Sequence, residues 1–375
     1  MKNNIGIIVS GGPAPGINSV IVSAAFHAEK NNYNLIGFKK GHLGVCLDKD
    51  SKVNLKYDEI LPFANTGGSI IGTSRFNPFN SKEDTNTYYQ KLKENNISKL
   101  IVIGGEGSAY LSLKISQEFK DIQVVHIPKT IDNDLILPNK YPSFGYSTST
   151  YVGNNILKTL STEAKTRDRW FIIRTMGRNA GFLALGFSIV SHANALVIAE
   201  EFPQKNITAK EIAEAIFVNV KKRSDKGKAY GVALISEGLI DKLNEDEILE
   251  LSNCPRDEMG RIKFEDVALE YLVLNQLKIL TKNAGLDINF RGHNLGYELR
   301  CADPIPFDIE YTKFLGFGAI KFLLEGLTGV MIVRDFEELS YINLKDISDE
   351  NGVIQSRSVD LNSDMYKIAK EFMTD

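Results

Sequence analysis

Short apolar runs along this chain alternate with longer stretches in which apolar residues return every three or four positions. Runs of Ile, Val and Leu too short for most helices predict strands at 5–10, 34–38, 100–103, 122–127, 171–174, 195–199 and 231–235. Helical spacing places Phe264, Val267, Ala268, Tyr271 and Leu274 on one face of a helix. A second helix is predicted after Ser149, with Val152, Ile156 and Leu160 on its apolar face. The segment 180–199 has the hydropathy of a membrane span, but Ser191-His192-Ala193-Asn194 interrupts it, so a helix followed by a strand fits better. Strands alternating with helices predict an α/β protein whose mainly parallel sheets are wrapped by helices on both faces. At 375 residues the chain has room for two such lobes, and no repeat or low-complexity linker marks their boundary.

Composition removes several function classes. Charged residues are 24% and hydrophobic residues 43%, with a formal net charge of −3, as in a soluble globular protein. There is no basic excess and no interleaving of basic and aromatic residues, which argues against nucleic acid as a partner. Cys46, Cys254 and Cys301 are few, distant and odd in number, so neither a disulfide framework nor a zinc cluster is expected. The five histidines lack metal-ligand spacing. The opening residues show no charged, apolar and cleavable leader, so the expected location is cytoplasmic, away from membranes.

The chemistry collects in loops that follow predicted strands, where α/β sheets bind their ligands. The run 122–127 ends in Pro128-Lys129-Thr130-Ile131-Asp132-Asn133-Asp134. Two carboxylates beside a lysine and a hydroxyl, at the end of a buried strand, need a phosphate, a metal or an ionising hydroxyl to meet their charges. In an extended segment Asp132 and Asp134 would share one side. The first strand leads into Gly11-Gly12-Pro13-Ala14-Pro15-Gly16-Ile17-Asn18 and a helix, an arrangement that lets backbone N–H groups approach a phosphate. A second turn, Gly104-Gly105-Glu106-Gly107-Ser108, holds a carboxylate where a phosphate would lie. Magnesium bound between the two resolves that conflict. Gly72-Thr73-Ser74-Arg75-Phe76 offers an arginine to neutralise phosphate and an aromatic ring for a ribose or base. Arg169, Met176-Gly177-Arg178, Arg291 and Arg300 supply guanidinium forks suited to a phosphorylated sugar, and Glu237 can accept from its hydroxyls. Taken singly, each has an ordinary alternative: a tight turn, a favourable helix-start glutamate, an Asx turn or a surface charge. Together they describe a phosphoryl transferase.

In this order, from Gly11 through Asp308, the motifs GGPAPGIN, GTSRF, GGEGS, PKTIDND, MGRNAG, SEG and LGYELR resemble the phosphofructokinase family. PKTIDND and MGR are the most specific of them. The resemblance implies two Rossmann-like lobes with the active site in the cleft between them, and a chain that crosses between lobes more than once. The expected division is 1–138 plus about 255–302 for the donor-binding lobe, and 139–254 plus about 303–375 for the sugar-phosphate-binding lobe. It further implies transfer to the 1-hydroxyl of fructose 6-phosphate, with Asp132 as general base and Thr130 and Lys129 beside the moving phosphoryl. Glu106 and Asp134 are implied as Mg2+ ligands, and Gly12, Arg75, Phe76, Gly105, Gly107 and Ser108 as donor-binding positions. Ile131, Met176, Gly177, Arg178, Glu237, Tyr297 and Arg300 match the sugar-phosphate site, Arg178 also acting in catalysis. Arg169 and Arg291 match arginines that a neighbouring subunit supplies, which implies a homodimer or homotetramer with shared active sites.

The donor divides the motifs. Gly107 stands where pyrophosphate-using relatives carry an aspartate that fills the α-phosphate space and repels its charge. Its absence favours ATP, the expected donor. Lys129 is compatible with either, while GGPAPGIN and Gly296-Tyr297 look more like pyrophosphate users, so pyrophosphate is the alternative. A non-catalytic sugar-phosphate-binding subunit is disfavoured because Asp132, Asp134 and the loop glycines are all present, and sedoheptulose 7-phosphate stays open as an acceptor. Three departures stand out: Glu106 for the commoner aspartate, Leu299 for a common glutamine, and Val22 and Phe26 where regulated relatives carry effector-binding arginines. The last pair predicts little control by ADP or phosphoenolpyruvate, measured as a hyperbolic rate curve that neither compound shifts.

Overall fold

β1 (Asn3–Val9) buries Ile5, Ile7, Ile8 and Val9 completely and lies inside a seven-stranded sheet. The computed structural model describes residues 3–47, 51–244 and 263–373, and Cys254 lies outside them. In the first sheet β1 is joined by β2 (Tyr33–Phe38), β3 (Lys52–Asn54), β4 (Ile97–Gly104) and β5 (Gln123–Pro128). A second sheet contains β6 (Arg169–Thr175), β7 (Ala195–Val197), β8 (Gly231–Ser236) and β9 (Asn289–Leu295). The hairpin β10 (Val330–Asp335) and β11 (Glu338–Asn343) completes the first sheet, whose order is β11-β10-β5-β4-β1-β2-β3. Its inner pairings are parallel, and only the two edge strands run antiparallel to their neighbours. The second sheet, β7-β8-β6-β9, is parallel throughout.

All seven predicted strands are present, because their apolar runs are buried on both faces, as strands inside a parallel sheet are. The four beyond the predicted set have different causes. β3 is three residues long, and β9 and β11 are edge strands with mixed exposure and no continuous apolar run. β10, with Val330 to Val333 buried, obeys the same rule as the seven. The predicted helix carrying Phe264 starts later, at Leu269–Asn283. Phe264–Asp266 is a single 3-10 turn, and Val267 is extended. Phe264 and Val267 are buried without being on that helix, which is why their spacing imitates it. The segment 180–199 divides as expected into helix Phe182–Ser191 and β7. Among the described residues no helix is long and apolar enough to cross a membrane.

The described chain forms two compact units, Met1–Ser149 with Glu298–Ser356, and Thr150–Tyr297 with Arg357–Asp375. The chain crosses between units more than once, but at other places than expected. β9 pairs with β6, and helix Leu269–Asn283 packs on helix Ala209–Asp225, so this part of 255–302 belongs to the second unit. Most of 303–375 belongs to the first, because helix Pro306–Leu324 packs along helix Ile17–Lys30 and β10 pairs with β5.

In the first unit a buried carboxylate fixes the start of helix Tyr146–Thr166. Asp308 accepts from the N–H of Gly145 (2.9 Å), the N–H of Thr148 (2.8 Å) and Thr148 Oγ1 (2.5 Å). Two of those donors are backbone groups that no helical carbonyl reaches. Asp308→Ala should therefore destabilise the protein by roughly 2–4 kcal/mol, through a lost cap and stranded buried donors, as a lowered urea midpoint would show.

Candidate active site

In the first sheet, β1 connects to β2 on one side and lies beside β4 on the other. Strand order therefore reverses between β1 and β4, the kind of position where an open α/β sheet binds its ligand beyond the carboxyl ends. Three of the motifs leave the sheet there. The loop after β1 is tied to the Gly72–Phe76 motif: the Gly11 N–H donates to Ser74 O (2.9 Å), and Thr73 Oγ1 donates to Gly11 O (2.6 Å). The loop after β4 turns at Gly105 into helix Glu106–Glu118, with Glu106 its first residue. Gly104 has no room for a side chain, since a Cβ there would lie 2.2 Å from Ser108 Oγ. At Gly107 the opposite holds: nothing lies within 4 Å of a Cβ position.

Lys129, at the end of β5, links these loops. Its N–H donates to Gly104 O (2.8 Å), and its Nζ donates to Gly12 O. Arg300 arrives from the far end of the unit, its guanidinium carbon 3.3 Å from a Cβ position on Gly12. Only 4% of Lys129 is exposed. Burial pushes its ammonium down to about 8, helped by the charges of Arg300 and Arg75 and opposed by the carboxylates of Asp132 and Asp134. One buried amine thus feels two guanidiniums and two carboxylates.

Beyond Lys129 the segment is not extended. Asn133 takes a left-handed conformation (φ 58°), which breaks the alternation that would put Asp132 and Asp134 on one side. Asp134 is buried and Asp132 half-buried. The turn is pinned by three bonds: the Asp132 N–H to Thr130 Oγ1 (3.0 Å), Ser143 Oγ to Thr130 O (2.7 Å), and the Ser143 N–H to Asn133 Oδ1 (3.1 Å). Ile131 is buried, so its side chain packs beneath the loop. Arg75 is exposed and Phe76 half-buried. Among the described residues no group of three His, Cys, Asp or Glu is arranged to hold a metal. Mg2+ needs no such cage, since one or two carboxylates and phosphate oxygens suffice. Glu106 and the buried Asp134 are hard-oxygen donors of that kind, and they fit it.

The second unit brings together another set. Met176, Gly177 and Arg178 follow β6, and Glu237 follows its neighbour β8. The Gly177 N–H donates to Glu237 Oε1 (3.1 Å), while Met176 lies so close to Gly296 that a Cβ there would meet its Cε at 2.6 Å. The Arg178 guanidinium stands 4.0 Å over the Phe264 ring and 3.6 Å from Asp241. Tyr297 is 60% exposed. Arg169 opens β6, at the opposite end from Arg178 and roughly 20 Å along the strand, with Glu163 at 3.4 Å. Arg291 is exposed on β9 opposite Phe171, again toward the starting end. The unit therefore separates Arg169 and Arg291 from Arg178 and Glu237. Arg300, expected with the sugar phosphate, belongs to the first unit beside Gly12. Leu299 is completely buried, so its replacement of a glutamine alters the core. Val22 is buried as well, and Phe26 stacks edge-on with His27 and lies tilted against Tyr57.

Sequence reasoning missed Thr73, Asp241 and Phe264. Thr73 lay inside a motif read only for its arginine and phenylalanine. Asp241 follows Glu237 within one 3-10 helix, and its approach to Arg178 is a tertiary contact with no spacing signal in the sequence. Phe264 carried an apolar signal and no chemical one.

The phosphofructokinase family model matches residues 4–323. The chain belongs to the phosphofructokinase family. A pyrophosphate–fructose 6-phosphate 1-phosphotransferase of Naegleria fowleri is 37% identical, covering 98% of this chain and 87% of that protein. One from Thermotoga maritima is 36% identical over 100% of this chain and 91% of its own. An ATP-dependent 6-phosphofructokinase of Lactobacillus gasseri is 28% identical, covering 97% and 99%. The fold matches the solved structure of a pyrophosphate-dependent phosphofructokinase from Nitrosospira multiformis, with a TM-score of 0.73 at 18% identity over 99% of this chain and 91% of that one. This phosphofructokinase is accordingly an enzyme, a phosphotransferase with an alcohol acceptor.

A donor-binding lysine at position 129 predicts a pH dependence of definite sign. The ammonium is charged below about 8 and loses its proton as pH rises through that value. Donor kcat/KM should therefore fall on the alkaline side, approaching about tenfold per pH unit. Lys129→Met should lower the efficiency at pH 7 and flatten that limb, as a pH–rate profile would record.

Proposed function

We propose that this phosphofructokinase moves a phosphoryl group from pyrophosphate to the 1-hydroxyl of fructose 6-phosphate, giving fructose 1,6-bisphosphate and orthophosphate. The observation that carries the donor is buried Lys129, with its Nζ on the first glycine loop and the Arg300 guanidinium against the same loop. Pyrophosphate concentrates its charge on a few atoms and has no base or ribose to add binding, so it requires cations gathered at one point. The relatives at 36 and 37% identity that bear this activity in their names support the same donor. ATP, the expectation from Gly107, becomes the second reading. It keeps one observation in its favour, the open space around Gly107.

In this mechanism Asp132 accepts the proton of the sugar 1-hydroxyl as its oxygen attacks phosphorus, and Thr130 holds the Asp132 N–H so that the carboxylate keeps its place. Lys129, Arg300 and Arg75 neutralise the oxygens of the transferring and leaving phosphates. Gly12, Gly105, Gly107 and Ser108 line the donor, with Phe76 at its edge. Glu106 and Asp134 would hold Mg2+, which when bound offsets the charge of the phosphate oxygens. In the second unit Arg178 takes the 6-phosphate, Glu237 accepts sugar hydroxyls, and Met176, Gly177 and Tyr297 shape the pocket. Arg169 and Arg291, remote from Arg178 within their own unit, serve a second copy in a homo-oligomer.

Purified protein with fructose 6-phosphate and Mg2+, assayed in parallel with pyrophosphate and ATP, tests this directly. Pyrophosphate should give at least about tenfold higher kcat/KM, the opposite ratio would reverse the donor, and no turnover with either would reject the reaction. Gly107→Asp should suppress any ATP turnover and leave pyrophosphate turnover nearly unchanged. Asp132→Asn should lower kcat by about 10²–10⁴-fold with little change in the KM for fructose 6-phosphate. Near-normal turnover would remove Asp132 from its role.

A further inference from the structure

In the second unit two described neighbours of the Arg178 guanidinium differ in strength. Asp241 stands 3.6 Å away, but its side chain is 51% exposed, and an ion pair so open to water holds a long side chain weakly. The other neighbour is the Phe264 ring, 4.0 Å beneath the guanidinium and only 3% exposed. A cation over a desolvated ring face is held more firmly and in a plane. Of these two, the platform constrains the attitude of Arg178 more than the carboxylate does.

Phe264 is itself held from below. Arg174, on β6 four residues before Arg178, donates through one terminal nitrogen to Phe264 O (3.0 Å) and to Val267 O. Its Nε lies 3.4 Å from Glu270 Oε2, and the two side chains are 4% and 7% exposed. A buried ion pair of this kind is costly to desolvate and is weak evidence of added stability, so its placement calls for another reason. The chain between Lys263 and Val267 makes one 3-10 turn and has no sheet or long helix to register it. The two carbonyl bonds from Arg174 supply that register. The other side of Arg178 is fixed by its backbone, because a Cβ on Gly238 would lie 2.7 Å from Arg178 O.

We propose that Phe264 is a positioning residue for sugar-phosphate binding, an aromatic platform anchored by the buried Arg174–Glu270 pair that presents the Arg178 guanidinium edge-outward. This rests on the sugar-phosphate role proposed above for Arg178. Phe264 touches no reactant in this account and acts only through Arg178. A flat platform leaves the fork's terminal N–H groups in one plane, as bidentate capture of a phosphate requires, whereas an aliphatic residue of similar volume would fill the space without orienting it.

The test compares the wild-type enzyme with Phe264→Leu and Phe264→Tyr. Turnover of fructose 6-phosphate by the wild type comes first, and its absence would defeat the assigned reaction without touching the platform. With turnover established, Phe264→Leu should raise the KM for fructose 6-phosphate about tenfold. It should leave kcat and the donor KM within about twofold of wild type, while Phe264→Tyr returns all three to wild-type values. Titration calorimetry with fructose 6-phosphate alone should show the same loss of affinity and the same rescue. A folded Phe264→Leu enzyme with wild-type affinity would overturn the proposal. So would a parallel fall in kcat and in affinity for both reactants, the mark of a purely structural lesion. Should Phe264→Leu fail to fold, Phe264→Trp, which keeps a ring face, must retain wild-type affinity, and a tenfold loss there would equally overturn it.

Discussion

A lysine ammonium kept out of water at the end of a strand is the constraint on which the first unit turns. Its amide closes the ladder between β4 and β5, and its Nζ reaches across to the β1 loop. The loops after β1, β4 and β5 are thereby given fixed relative positions by one residue. Burial makes the charge expensive, and the nearby guanidiniums make it more so. Part of that cost is offset by the carboxylates of Asp132 and Asp134.

The second unit follows a different logic. Its sheet is wholly parallel, so the carboxyl ends of β6 and β8 lie at one edge and Arg178 and Glu237 arise side by side from their loops. Arg169 belongs to the same strand as the residues leading into Arg178, but opens it. One strand therefore carries an arginine at each end, and geometry forbids one ligand from meeting both within that unit.

Much of this was legible in the sequence, and the failures have physical causes. Strands buried on both faces announce themselves as unbroken apolar runs, whereas β9 and β11 present one face to solvent and lose that signal. Loop glycines and the PKTIDND segment gave the catalytic loops their addresses. The shape of that segment was not legible, since one left-handed residue, Asn133, redirects the two carboxylates around it. Motif matching groups Arg300 with the sugar-phosphate site, and its approach to the Gly12 loop is a tertiary contact that no sequence pattern announces. Phe264 and Arg174 were invisible as functional residues, because an apolar ring and a buried ion pair read as core. The expectation of ATP rested on one missing aspartate, whereas the cations gathered at Lys129, on which the proposal of pyrophosphate rests, are a property of assembled loops.

The first sheet ends on both sides in an antiparallel strand, and one of them, β3, is only three residues long. An outermost strand that short offers few backbone groups for templating a neighbour, and β11 adds Glu338 and the half-covered Tyr341 at the other border. Growth of the sheet from molecule to molecule is thereby discouraged, which guards against fibrous aggregation. Contact between copies at these two borders is left to side-chain surfaces, where a single substitution can retune it.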